Sequence, residues 1–334
     1  MKRQQGVALI TVLLVVAVVT VVCAGMIARQ HVAIRSSANL LDTRQAWQYA
    51  LGGETLAKAV LKRDARGGDP RQSIDHPGED WAKPMKPFAL DEGGVLSVRI
   101  EDPSGRFNLN SLVRQQQVDD AALLRFRRLL LRLGITTPYA ERLVDWLDDN
   151  QEPTGSDGAE DNQYLLAKPA YRVADRRLQD VSELRLLFGM TEAEFRRLQP
   201  YVSALPGDAP LNVNTAGAMV LSSLADGLTP EMAQGVVLAR GKEGFASIDA
   251  FLAQPALAGQ GIDGQGLAVG TAYFQVISEV RMGERRQVVV SSMHRDQQGR
   301  VRVLARDLGQ DGLVAIGAAS GEQATPATSE EQAR

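Results

Sequence analysis

Cysteine is almost absent: Cys23 is the one thiol in 334 residues, so no disulfide can form within the chain. Its neighbours are apolar, whereas a reactive thiol needs an electropositive, partly exposed setting, so Cys23 reads as an inert core thiol. Histidine is scarce too, with three residues at positions 31, 76 and 294, which leaves no His/Cys cluster for zinc. Aromatic residues make up 5 % of the chain, too few for base-stacking platforms. The net charge of −3 gives no global pull towards nucleic acid or anionic lipid. No P-loop and no His near Ser or Asp in a triad pattern occurs, so these local signs of an enzyme are missing, although triads assemble in space.

What is present begins at the amino terminus. Val7 to Ala28 is an uncharged stretch of 22 residues, polar only at Thr11 and Thr20. A bilayer core of roughly 30 Å needs about 20 helical residues, so this run is long enough to span one. The basic hexapeptide Met1-Lys2-Arg3-Gln4-Gln5-Gly6 precedes it. A secretory signal fits the basic start, but its apolar region is usually about 7–15 residues and ends at a small-x-small site. Only Val22-Cys23-Ala24 approximates such a site, and Val22 is too large for a lipoprotein signal. A plain anchor also fits, and Lys2 and Arg3 against Arg29 and Arg35 do not fix its orientation.

Beyond Ala28 the helical pattern turns amphipathic. Ile34, Leu41, Ala46, Tyr49 and Leu56 recur at helical intervals, with Arg35, Asp42, Arg44, Lys58 and Lys62 between them. Gly52-Gly53 weakens the middle by about 1 kcal/mol per glycine relative to alanine. One helix from Val7 to Arg63 would be roughly 85 Å long at 1.5 Å per residue, its first half in lipid and its second half on a soluble head. A loop rich in Pro, Gly and Asp follows over 67–94. Val95–Glu101 then alternates strictly, as a half-buried strand does. Tyr273–Arg281, Arg286–His294 and Arg300–Asp307, separated by turn signals, read as a meander. The predicted class is α+β: a long amino-terminal helix on a small antiparallel sheet (29–101 and 273–308), interrupted by a mainly helical insertion over 102–272. Residues 309–334, rich in Ala, Gly, Ser, Thr and Glu, read as a disordered tail.

Within the insertion, Val118–Leu133, Pro138–Asp149 and Asp180–Leu187 read as helices. The arginines of the first (Arg125, Arg127, Arg128, Arg132) read as a solvated helix face rather than a binding stripe. Arg106-Phe107-Asn108-Leu109-Asn110 and Pro210-Leu211-Asn212-Val213-Asn214-Thr215 echo one another, with asparagines suited to helix N-caps. Residues 211–254 resemble a helix-hairpin-helix module, many of which bind DNA backbone. The hairpin Asp226-Gly227-Leu228 lacks the second glycine, and Arg240 and Lys242 face four acids (Asp226, Glu231, Glu243, Asp249). That balance has the wrong sign for phosphate, so nucleic acid is not an expected partner.

Seven carboxylates crowd into residues 145–161 with no lysine or arginine among them. Asp145, Asp148 and Asp149 would share one side of a helix end by their i, i+3, i+4 spacing, and Asp157, Glu160 and Asp161 follow a Gly- and Pro-containing loop. Negative charge at a helix C-terminus opposes its dipole unless a cation offsets it. Hard oxygens on a flexible loop suit calcium, but the spacing is not that of an EF-hand. A calcium-holding loop and a solvated acidic loop therefore both remain open on spacing. Catalytic magnesium is the weaker reading, since no basic phosphate-binding loop accompanies the cluster.

The glycine between a basic leader and an apolar run resembles the class III leader of type IV pilins and pseudopilins, cut by prepilin peptidase after Gly6 to leave Val7 as the new terminus. Most of that family carries glutamate at the fifth mature position; here it is Thr11, a departure shared with the K-type minor pseudopilins of type II secretion. The large insertion with helix-hairpin-helix or SAM-like repeats resembles the same subgroup. The resemblance implies a non-catalytic, single-pass inner-membrane subunit with a periplasmic head, placed near the pseudopilus tip. Its implied partners are the I- and J-type minor pseudopilins and the inner-membrane secretion platform. It also implies calcium in the inserted domain, for which Asp145, Asp148, Asp149, Asp157, Glu160 and Asp161 are the candidate ligands. The alternative classes are a membrane-anchored periplasmic enzyme and a DNA-binding helix-hairpin-helix protein.

Overall fold

The computed structural model describes residues 5–66, 74–91 and 93–308; the expected tail over 309–334 lies outside them. Helix α1 runs unbroken over Gln5–Asp64, through both Gly6 and Val7, and its 60 residues make it about 90 Å long. From Leu9 to Leu41 its large apolar side chains are all exposed, so nothing among the described residues covers the membrane-length run. Cys23 lies exposed on this bare half, not in a core as its apolar neighbours suggested.

The buried face of α1 starts later than the periodicity suggested, and with smaller residues. Ile34 and Leu41 are 61 % and 64 % exposed, whereas Ala46, Ala50, Gly53, Ala57 and Leu61 are buried. This face is small because the sheet comes close: a Cβ on Gly53 would sit 2.7 Å from Ser278 Oγ and 2.9 Å from Val98 Cγ2. Gly53 therefore permits a close helix–sheet approach, at the helix-propensity cost noted above.

The sheet under α1 has five strands: β1 (Phe88–Leu90), β2 (Gly94–Glu101), β3 (Tyr273–Met282), β4 (Arg285–Arg295) and β5 (Val301–Asp307). They are antiparallel in the order β1-β2-β3-β4-β5. Four match the expected runs to within one or two residues, and β1 is an added edge within the expected loop. Leu96, Val98, Ile100, Phe274, Val276, Val280, Val289 and Met293 close over the small face of α1, with Trp81 edge-on to Phe274 at 5.3 Å. Glu54 is bolted into the same interface. It accepts from Lys58 Nζ at 2.9 Å, Ser291 Oγ at 2.9 Å, and Arg306 Nε and Nη2 at 2.6 and 3.0 Å.

Between the neighbouring strands β2 and β3 the chain makes two lobes, each with its own core. The first holds α2 (Asp120–Arg132), α3 (Tyr139–Leu147), α4 (Asp161–Tyr164) and α5 (Glu192–Leu198); the second holds α6 (Ala218–Ser222), α7 (Pro230–Ala239) and α8 (Ile248–Leu252). Asp180–Leu187, expected as an α-helix, is a 3-10 turn over Val181–Leu186 started by the Asp180 capping box.

The two asparagine motifs do the same job in each lobe, and it is more than capping. Phe107-Asn108 pairs in parallel with Val202-Ser203, and Leu211-Asn212 pairs in parallel with Leu267-Ala268. Asn110 accepts from Leu178 N and donates to the carbonyls of Leu178 and Leu205. Asn214 accepts from Phe245 N and donates to the carbonyls of Phe245 and Val269. Each is a buried staple holding chain far away in sequence. Only the first asparagine of each pair caps locally: Asn108 and Asn212 accept from Asn110 N and Asn214 N.

Candidate functional site

The acidic segment divides on folding. α3 stops at Leu147, and Asp148 is already extended, with φ −81 and ψ 176. The chain therefore leaves the helix before Asp149, which turns to solvent instead of joining Asp145 and Asp148 on one face. Asp157 is exposed as well. Asp161 is drawn off to Arg172, at 2.5 Å, and to Val173 N at 3.1 Å. What the structure brings inside is Asp145, Asp148 and Glu160, at 0 %, 4 % and 2 % exposure, with no salt bridge to any of them among the described residues.

Asp145 organises the loop, accepting from Thr154 N at 2.8 Å and Ala159 N at 2.6 Å. Gly158 is what lets the backbone fold over it: a Cβ there would lie 2.2 Å from Asp145 Oδ2. Glu160 is the odd member, because both of its carboxylate oxygens are buried without a hydrogen-bond partner. Burial pushes the Glu160 carboxyl up to about 8, helped by the charges of Asp145, Asp148, Asp175 and Asp161. Burial also lifts Asp148 to about 6 and raises Asp145 against its hydrogen bonds. Asp175, a residue the sequence did not single out, sits at φ 49 and is raised by burial and by Asp161 and Asp149. An orphaned buried carboxylate beside two others, with no basic side chain on them, has the chemistry a hard divalent cation accepts, but the oxygens of Asp145, Asp148 and Glu160 do not all lie within 4.8 Å of one another.

A second acidic group was not visible in the sequence. Asp64, Asp75 and Glu79 are, among the described residues, the one set of three acids whose oxygens all lie within 4.8 Å of one another. A protein cation already occupies it: Arg295 pairs with Asp64 at 2.7 Å and Asp75 at 2.5 Å and lies over the Phe274 ring at 4.7 Å. Burial pushes Glu79 up to about 7 despite donors from His76 N and Trp81 Nε1. Asp75 also takes Thr271 N on its other oxygen, and its carbonyl accepts from Asn212. This is a joint between α1, the sheet and the second lobe.

Of the four α2 arginines Arg127 is exposed, as expected, and pairs with Glu141 at 2.6 Å, whereas Arg125, Arg128 and Arg132 are partly buried. Arg128 pairs with Asp226 at 2.5 and 3.0 Å and donates to Leu224 O. Arg132 donates to the carbonyls of Asp226 and Leu228. They bracket the second lobe, and in doing so they take up the hairpin 226–228, the segment that a phosphate-binding helix-hairpin-helix would offer to DNA.

Comparison with known proteins follows these boundaries. Family models described as type II secretion system (T2SS), protein K match residues 105–207 and 211–270, one for each lobe. The chain is 60 % identical to the type II secretion system protein K of Pseudomonas aeruginosa over 93 % of its own length and 95 % of the relative's. It is 39 % identical to the protein K of Klebsiella pneumoniae, over 76 % and 81 %. Among solved structures it is similar to a chain of the GspK-GspI-GspJ complex of enterotoxigenic Escherichia coli. The TM-score is 0.71 at 26 % identity, covering 82 % of this chain and 99 % of that one.

Proposed function

Since this chain belongs to the type II secretion system protein K family, we propose that it is the minor pseudopilin at the tip of a secretion pseudopilus, where it nucleates assembly with I- and J-type partners for export of folded proteins across the outer membrane. The observation that carries this reading is the likeness of almost the whole head to a chain of an assembled K–I–J complex. The role is one of assembly rather than catalysis. The bare apolar half of α1 is the membrane anchor, with the head on its periplasmic side and the amino terminus in the cytoplasm. Prepilin peptidase cuts between Gly6 and Val7, and the platform in the inner membrane receives the mature chain.

Thr11 suits a tip position. A buried carboxylate in lipid is costly without a partner, so a subunit carrying threonine there makes no demand on a neighbour already in the fibre. In the head, calcium bound by Asp145, Asp148 and Glu160 would neutralise the buried charge and fix the loop between α3 and α4. Its role is structural.

The test is assembly. The full chain in detergent, mixed with I- and J-type pseudopilins of the same system, should elute as one stoichiometric complex. A chain that stays alone with both partners, yet retards duplex DNA at moderate salt, would replace this reading with the helix-hairpin-helix one.

A further inference from the structure

The two lobes meet around a cleft of about 110 Å³, walled by α2 on one side and by Leu224, Gln265 and Gly266 on the other. Two guanidinium groups enter it, Arg125 from α2 and Arg114 from the segment before it. They come within 3.5 and 3.7 Å of the place a Cβ on Gly266 would occupy, and Gly266 itself has φ +71.

Neither arginine is well satisfied. Arg125 has a side chain only 15 % exposed, yet its partners are distant: Gln265 O at 3.3 Å and Asp263 at 3.4 Å, against a usual N–H···O distance of about 2.9 Å. Arg114 donates no hydrogen bond to any described residue, and its Nε is buried with only an ion contact to Asp119 at 3.3 Å. The two carboxylates at hand do not make up the deficit. Asp119 is engaged as the N-cap of α2, accepting from Ala122 N at 3.0 Å, and Asp263 is 63 % exposed.

Arg128 and Arg132 give the contrast. Only three and seven residues further along α2, they reach the second lobe through contacts of 2.5 to 3.2 Å. Burial lowers the affinity of Arg125 for its proton; the charges of Arg114 and Arg128 push the same way, and Asp263 and Asp119 oppose them. Two converging, under-hydrogen-bonded guanidiniums form a fork suited to bidentate capture of an anion with two or more oxygens. The volume allows a small group rather than a nucleotide.

We propose that this cleft is an oxyanion site, where a carboxylate or phosphate group held between Arg114 and Arg125 locks the two lobes together. Phosphate would be a free ion or an ester; a carboxylate would be a chain terminus or a small organic acid. The test is calorimetric titration of the full-length protein in detergent, at constant ionic strength, with inorganic phosphate and separately with acetate. Saturable binding of phosphate alone assigns a phosphate-bearing ligand, and saturable binding of acetate assigns a carboxylate. Arg125→Gln and Arg114→Gln should each weaken binding roughly tenfold or more, as expected for a charge-assisted hydrogen bond. Arg127→Gln, on the same helix but paired with Glu141, should leave binding unchanged. Arg114 is partly exposed, so its variant keeps the test available if Arg125→Gln does not fold. Flat titrations with both anions, or binding undiminished in Arg114→Gln, would overturn the proposal.

Discussion

Glu54→Gln should destabilise the head by about 2 kcal/mol at neutral pH, and the loss should disappear in acid. The Glu54 side chain is 4 % exposed at the centre of the helix–sheet interface. Burial alone would raise its pKa, but donors from Arg306, Lys58 and Ser291 outweigh burial and bring it from 4.5 to about 2. A shift of that size corresponds to about 3 kcal/mol of differential stability. Arg306 and Lys58 are 41 % and 28 % exposed, so water competes for them and about 2 kcal/mol remains. The folded pKa lies below the unfolded one, so this contribution is complete above pH 4.5 and is lost as pH falls towards 2. Urea unfolding of wild type and variant in detergent, followed by tryptophan fluorescence from Trp81 in that interface, measures the gap at each pH. A gap that is constant from pH 7 to pH 2, or absent at pH 7, would refute the argument.

Four further outcomes are expected. Calcium should raise the melting temperature of the head by mass action on the folded state, and Asp148→Ala or Glu160→Gln should abolish most of that rise while Arg127→Ala leaves it. Without metal, Asp148 near 6 and Glu160 near 8 lie above their ordinary values, so folding takes up protons and stability should fall as pH rises from about 4 to 8; calcium should flatten that slope, and equal slopes with and without calcium would refute the site. Arg128→Ala with Arg132→Ala should free the hairpin at 226–228, read as faster amide exchange at Asp226–Leu228 with the sheet unchanged; unaltered exchange would mean the bracket holds nothing. Gly6→Val should block removal of the leader, and mass spectrometry of the wild-type chain should find Val7 first, whereas a terminus near Ala24 would indicate an ordinary signal peptide.

The parts of this fold legible in sequence were those set by local periodicity. β2 could be read because Leu96, Val98 and Ile100 alternate with polar residues, and α2 because its apolar face repeats at helical spacing. The face that α1 buries is legible at Ala46, Tyr49 and Leu56, which lie in or against the core, but not at Ile34 and Leu41; close approach at Gly53 selects alanine and glycine, which apolar periodicity does not mark. Arg128 and Arg132 look solvated in the sequence because their partner Asp226 lies 98 residues from Arg128, a separation no local pattern encodes. In the acidic segment the residue types were visible but their fates were not. An extended Asp148 sends Asp149 outward, Arg172 draws off Asp161, and the unpartnered buried oxygens of Glu160 depend on how the loop packs.

In each lobe the chain enters and leaves side by side, at Phe107 beside Val202 and at Leu211 beside Leu267. The insertion as a whole does the same, since Glu101 at the end of β2 lies opposite Gln275 near the start of β3. A unit whose ends already touch can be added to a gene or removed from it without stretching what remains, because closing the gap requires only a short turn. The head is thus a nested set of cassettes. The two lobes stand where a hairpin turn between β2 and β3 would otherwise lie, each fastened shut by its own asparagine, while β2 and β3 pair in one unbroken register from Gly94 beside Met282 to Glu101 beside Gln275.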